Sequence, residues 1–192
     1  MKKLMIAAAI VCAAAFTQAG SLQWSLMNLY KPTVADASKD VTTPFLATAG
    51  DKFLPADGIS IVLNWVNGAG NDVYIGTYDL TGEGAIASTT LGVGSDSDLY
   101  KAMVAESGYG TADIAPTYHY TTTYTTSDGV FTLDGTIQAA KKLSNIGASN
   151  VSASARANTA GYWTYTANVP EPTSTLLMLI GVAGLALRRR RA

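Results

Sequence analysis

The sequence predicts a mainly β, β-sandwich-like domain with one or two short helices, set between an N-terminal signal peptide and a single C-terminal transmembrane helix. Three observations predict it. Short runs rich in β-branched and aromatic residues recur through residues 20–169, parted by Gly, Asn, Asp and Pro clusters that favour turns. Only one stretch joins a helix cap to apolar residues at clear helical spacing. The two long apolar runs lie at the ends of the chain, outside that domain.

At the N-terminus, "MKKLMIAAAIVCAAAFTQAGS" places Lys2 and Lys3 before the apolar stretch Leu4 to Phe16. Thr17 and Ala19 then stand three and one positions before a cut in front of Gly20. This is the three-part layout of a secretory signal, with cleavage expected between Ala19 and Gly20. The only cysteine, Cys12, lies within it, so a chain starting at Gly20 has no disulfide, no thiolate nucleophile and no cysteine-based zinc site. The expected organisation is a signal peptide over 1–19, an exported domain over 20–169 and a terminal segment over 170–192. The 150 residues of the middle segment suit one domain with a substantial core. That segment holds 7 of the 13 basic residues and 13 of the 14 acidic ones, so its formal net charge is −6. Such a balance argues against a nucleic-acid partner, which needs clustered Lys and Arg.

Along the domain, Leu22, Trp24 and Leu26 alternate with Ser21, Gln23 and Ser25, the period of a half-buried strand. Pro32 and Pro44 mark the following stretch as loop. Ile59–Val66 and Asp72–Leu80 are β-rich runs joined by "NGAGN", residues 67–71, and so predict a hairpin. Ala85–Leu91 is a third run after a four-residue break, extending the hairpin into a three-stranded meander. Asp96 or Ser97 caps a helix through Leu99, Met103 and Val104, which Gly108 stops.

In "TYHYTTTYTTSDGVFTLDG", Tyr118, Tyr120 and Tyr124 share one face, and Asp128-Gly129 forms a two-residue turn. That turn sets Tyr124 opposite Leu133 and Thr126 opposite Phe131. Ile137, Ala140 and Leu143 are spaced for a turn or two of helix. "ASNVSASARANTAG" reads as loop or edge strand, and "GYWTYTANV" as a last strand packing through Tyr162, Trp163 and Tyr165.

Catalytic signatures are absent from the sequence, so no catalytic residue, cofactor or metal ligand is assigned. His119 is the only histidine and faces away from the tyrosines, a poor arrangement for a base or a metal site. "GEGAIA" (Gly82 to Ala87) spells a dinucleotide loop but leads into strand-forming residues where such a loop needs a helix, and so reads as a turn. Asp96 and Asp98 fail the calcium-loop pattern, because Tyr100 and Ala102 occupy ligand positions; helix capping accounts for them. The outward row Thr121, Thr123 and Thr125 offers a hydroxyl surface to sugar or ice, although threonine is also a good strand residue.

The C-terminus, "VPEPTSTLLMLIGVAGLALRRRRA", stands apart. Thr173 to Leu187 carries no charge and covers about 22 Å as a helix, against a hydrocarbon thickness of about 30 Å. A minimal span over 173–187 follows if the bilayer thins or the flanks snorkel. Arg188, Arg189, Arg190 and Arg191 then form a cytoplasmic basic anchor, with the domain outside. Pro170-Glu171-Pro172, the apolar run and the arginine cluster together resemble the PEP-CTERM protein-sorting signal of exported bacterial proteins.

The resemblance implies recognition of Pro170, Glu171 and Pro172 by exosortase, a membrane protease, in bacteria that make exopolysaccharide. The two end signals, with no catalytic signature between them, lead to the expectation of a cell-surface or extracellular-matrix protein with a structural or interaction role and no catalysis. The alternative is a domain that binds or cleaves carbohydrate in exopolysaccharide. The prolines suit recognition, since they hold the segment extended and outside the following helix.

Overall fold

The computed structural model describes residues 19–37, 43–106 and 109–168. Eight strands form two sheets. In chain order they are β1 (Ser21–Met27), β2 (Ser60–Val66), β3 (Asp72–Asp79), β4 (Ile86–Val93), β5 (Thr117–Thr125), β6 (Gly129–Gln138), β7 (Val151–Arg156) and β8 (Gly161–Ala167). The larger sheet has the order β3-β2-β5-β6-β8 and is antiparallel throughout. The smaller has the order β4-β1-β7, with β1 antiparallel to β4 and parallel to β7. The expected β-rich, two-sheet architecture is present.

Alternation decides what each strand buries. Leu22, Trp24 and Leu26 of β1 are fully buried, as their period of two requires. Facing them from the larger sheet are Ile61, Leu63, Trp65, Tyr118, Tyr120, Phe131, Leu133, Trp163 and Tyr165, all in the same core. The Trp24 ring lies 5.7 Å from Tyr78 and 6.4 Å from Tyr120, a tilted aromatic contact across the two sheets.

The β2–β3 hairpin forms as expected, its loop closed by Asn67, whose side chain accepts from the N–H groups of Ala69 and Asn71. The third run does not extend it. β4 pairs with β1 in the other sheet, so the three-stranded meander is wrong. The reason lies at Gly84, which adopts φ +59°, donates to Phe53 O at 2.6 Å and accepts from Leu29 N at 3.0 Å. These bonds carry the chain around a corner between sheets. A Cβ there would sit 2.8 Å from Leu29 O, so the corner requires glycine. "GEGAIA" is thus a turn entering a strand, as its composition indicated.

Helix α1 (Asp98–Ala105) is capped by Ser97, whose hydroxyl accepts from Tyr100 N, and buries Met103. Its expected stop, Gly108, lies outside the described residues. In place of a helix at Ile137–Leu143, β6 runs on to Gln138 and a 3-10 turn follows over Leu143–Gly147, burying Leu143 and Ile146. β7 is the edge strand that the small, polar composition allowed.

The β5–β6 hairpin keeps the expected faces in a different register. Tyr124 faces Phe131 and Thr122 faces Leu133, so the turn residues are Ser127 and Asp128, one position earlier than the sequence implied. Thr126 causes the shift: its hydroxyl accepts from the N–H groups of Asp128 and Gly129. Gly129 serves packing instead of the turn, since a Cβ would meet Thr166 O at 2.3 Å. A register change of two leaves every side chain on its original face.

Burial shifts two of the tyrosines strongly. Burial, with a smaller contribution from the Asp134 carboxylate, pushes the Tyr120 phenol up to about 12. Burial likewise pushes the Tyr118 phenol up, assisted by Tyr109 and Tyr78. An unfolded phenol ionises near pH 10. A raised folded pKa contributes stability that is complete below about pH 10 and is lost as pH rises toward about 12. Alkaline titration followed at 295 nm should therefore show these phenols ionising together with loss of the sheet's circular dichroism. Ionisation of all ten tyrosines with the sheet intact would contradict this.

Candidate functional site

The outer face of the larger sheet is the most distinctive surface among the described residues. Because its strands alternate, residues between the inward ones in β5 and β6 point outward, among them His119, Thr121, Thr123 and Thr125, then Thr132, Asp134 and Thr136. Register aligns these into cross-strand rows. One row is Thr123, Thr132 and Thr164; the next is Thr77, Val62, Thr121, Asp134 and Tyr162. The expected threonine row thus widens into a sheet of hydroxyls over several strands.

Two tyrosines stand out from that face on its opposite edge strands, Tyr74 of β3 at 64% exposure and Tyr162 of β8 at 48%. Tyr162 was expected among the packing residues. Alternation with buried Trp163 turns it outward instead, and only Trp163 and Tyr165 pack inside.

No lysine or arginine occurs in any of the five strands, whereas Asp72, Asp79 and Asp134 do. His119 lies among these carboxylates. Its Nδ1 is 2.5 Å from Asp72 Oδ2 and its Nε2 is 3.2 Å from Asp134 Oδ1. The outward orientation read from the sequence is correct, but the two partners were not legible there. Asp72 comes from β3, two strands away, and meets His119 only because β2 lies between β3 and β5. A shallow depression of about 460 Å³ surrounds the trio, lined also by Asn71 and Thr136. Both ring nitrogens of His119 thus face carboxylate oxygens. Among the described residues no group of three or more His, Cys, Asp or Glu is arranged to hold a metal ion.

Of the residues singled out at the chain ends, Ala19 is exposed and Gly20 is buried, one residue before β1 begins. Gly94 N donates to Gly20 O at 2.8 Å, and a Cβ on Gly20 would collide with Ser149 O. Pro170, Glu171, Pro172 and Arg188 to Arg191 lie outside the described residues, as does the expected span over 173–187. Among the described residues, no helix is long and apolar enough to cross a membrane.

The domain reaches this terminal segment through β8, and the last described residue is Asn168. Its N–H donates to Asp128 O at 2.8 Å and its Nδ2 to Ser127 O at 3.2 Å, clamping it to the β5–β6 turn. From this residue the chain matches a known motif. Residues 168–191 match the PEP-CTERM protein-sorting motif. The match covers Pro170, Glu171 and Pro172 together with the four arginines. The motif is a sorting signal on exported proteins, recognised by exosortase, a membrane protein. No family matches residues 1–167, and no curated protein or solved structure matches the chain.

The Asp72–His119–Asp134 contacts are half-exposed, where an ion pair contributes little. We expect His119→Ala to lower the unfolding free energy by about 0.5–1 kcal/mol at low ionic strength. Most of that loss should vanish in about 1 M salt, where screening acts within about 3 Å. Denaturant titration in both buffers tests it. A loss that salt does not reduce would mean that packing, and not charge, holds the ring.

Proposed function

We propose that the chain is an exported cell-surface or extracellular-matrix protein whose β-sandwich acts by structural or interaction contacts and not by catalysis. Its signal peptide ends at Ala19. A membrane segment over 173–187 holds it with the domain outside until exosortase processes the PEP-CTERM tail. The observation that carries this reading is the motif match over 168–191, attached without interruption to the end of β8. Gly20, fitted against Ser149 and Ile146 just before β1, belongs to the folded domain, so a cut before it leaves that domain complete among the described residues from 20 onward.

Fractionation and intact-mass measurement in cells with and without exosortase test the proposal. The expected mature chain starts at Gly20, and the tail stays intact and membrane-bound only in the strain lacking exosortase. A soluble periplasmic chain with the same intact tail in both strains would refute the sorting role.

A second reading, carbohydrate binding in exopolysaccharide, is supported by Tyr74 and Tyr162 projecting from the hydroxyl-rich outer face. The absence of Lys and Arg from the five strands favours neutral or amino sugars over uronic-acid polymers. Because the two rings stand on opposite edge strands, each is a separate stacking position for a sugar ring. On a glycan array, Tyr74→Ala and Tyr162→Ala should each weaken retention of neutral glycans several-fold while leaving the fold intact. Retention unchanged in the double variant, or no retention by the parent chain, would remove this reading.

A further inference from the structure

If residues 173–187 are anchored, the junction between the sandwich and its tail limits how the domain can stand relative to the membrane. The sorting motif begins at Asn168, the same residue that is clamped to the β5–β6 turn. No spacer therefore separates the folded domain from the tag. Only Val169, Pro170, Glu171 and Pro172 lie between Asn168 and the apolar run that starts at Thr173. Fully extended, those five steps reach at most about 17 Å. The strands are longer: the ten residues of β6 rise about 30 Å from the turn to the far end of the sheet.

The near end carries Ser127 and Asp128 in the turn and the 3-10 turn Pro55–Asp57, with Leu54 at 46% exposure just before it. Phe53 places this loop at the same end, packing edge-on to Tyr124 at 4.9 Å. The far end carries the β2–β3 loop over residues 67–71. Held at its near end within about 17 Å of the bilayer, the domain cannot stand inverted with its far end toward lipid. Its outer face, with Asp72, Asp79 and Asp134 and no Lys or Arg in the five strands, is repelled by anionic headgroups and so does not lie flat on them.

We propose that the sandwich stands end-on, with the β5–β6 turn and Leu54 against the membrane surface and the 67–71 loop pointing away from it. The hydroxyl-rich outer face then stands upright, open to the exterior and not to lipid. This orientation rests on the anchored reading of residues 173–187 given above.

The full-length chain tests it, carrying Cys12→Ser so that one engineered thiol is unique. Ser127→Cys and Ala69→Cys are each labelled with a membrane-impermeant fluorophore on chains reconstituted in phosphatidylcholine–phosphatidylglycerol vesicles containing a headgroup nitroxide lipid. The expected result is quenching several-fold stronger at position 127 than at 69. Equal quenching, or stronger quenching at 69, overturns the end-on orientation while leaving the anchor in place.

A chain that fails to remain with carbonate-washed vesicles overturns the anchored reading and the orientation together. Fractionation tells these two failures apart. A Gly/Ser insert of about 20 residues after Asn168, with a coil dimension of about 25 Å, should erase the difference between the sites. A difference that survives the insert would show that the orientation comes from lipid contacts of the domain and not from the short tether.

Discussion

The contact on which the two-sheet structure depends is Trp24 against Tyr78 and Tyr120. Trp24 sits at the middle of β1, the central strand of the smaller sheet, and its ring meets aromatic rings from two strands of the larger one. Small residues make room around this seam. Ala153 of β7 lies beside Trp24 in register, and Gly135 of β6 lies beneath Tyr120, where a Cβ would stand 2.2 Å from the ring. Large rings therefore alternate with small neighbours from one sheet to the other. A chain processed at Gly20 has no disulfide to hold its sheets together. Truncating a buried aromatic of this kind typically costs about 3–5 kcal/mol, a large share of the 5–15 kcal/mol that stabilises a domain.

The same strands that supply the inner rings supply a very different outer surface. Alternation sends Tyr118, Tyr120, Phe131 and Leu133 inward and His119, Thr121, Thr132 and Asp134 outward. A face with several carboxylates and no lysine or arginine would carry uncompensated like charge. His119 interposes between two of those carboxylates, Asp72 and Asp134, and draws together β3, β5 and β6. Threonine suits both requirements of such a face, favouring the strand by its β-branching and the solvent by its hydroxyl. The outer surface is thus polar and solvated without the cationic groups that would attract nucleic acid.

The sequence made the local features legible and left the long-range ones hidden. Trp24 and its neighbours, the Asn67–Asn71 loop and the inward tyrosines of β5 follow from periodicity and turn chemistry, which act within a few residues. The destination of Ala85–Leu91 does not. A four-residue break containing glycine fits a hairpin as well as a corner, and only the bonds from Gly84 to Phe53 and Leu29 decide between them. The β5–β6 register likewise turned on one hydroxyl, that of Thr126, outweighing the usual preference for Asp-Gly at a two-residue turn. The candidate site was half readable: the threonines and the outward His119 were visible, whereas the pairing of His119 with Asp72 required the strand order. The sorting tail was the most readable part, because its composition and order carry the signal without any fold.

Where the motif begins, the end of the fold is held by bonds from within the domain. β8 is the edge of the larger sheet, and an edge strand ordinarily frays or recruits a foreign strand. Here β6 pairs along one side of β8, and on the other side Phe45 exchanges both backbone bonds with Trp163, at 2.8 and 2.9 Å. Tyr165 then donates to Asp128 O at 2.8 Å, and Asn168 bonds to the same turn. The final strand is held at its centre and at its end, and the last of these bonds falls on the first residue of the motif. Each of these bonds lies at or before Asn168. A cut beyond that point therefore breaks none of these bonds.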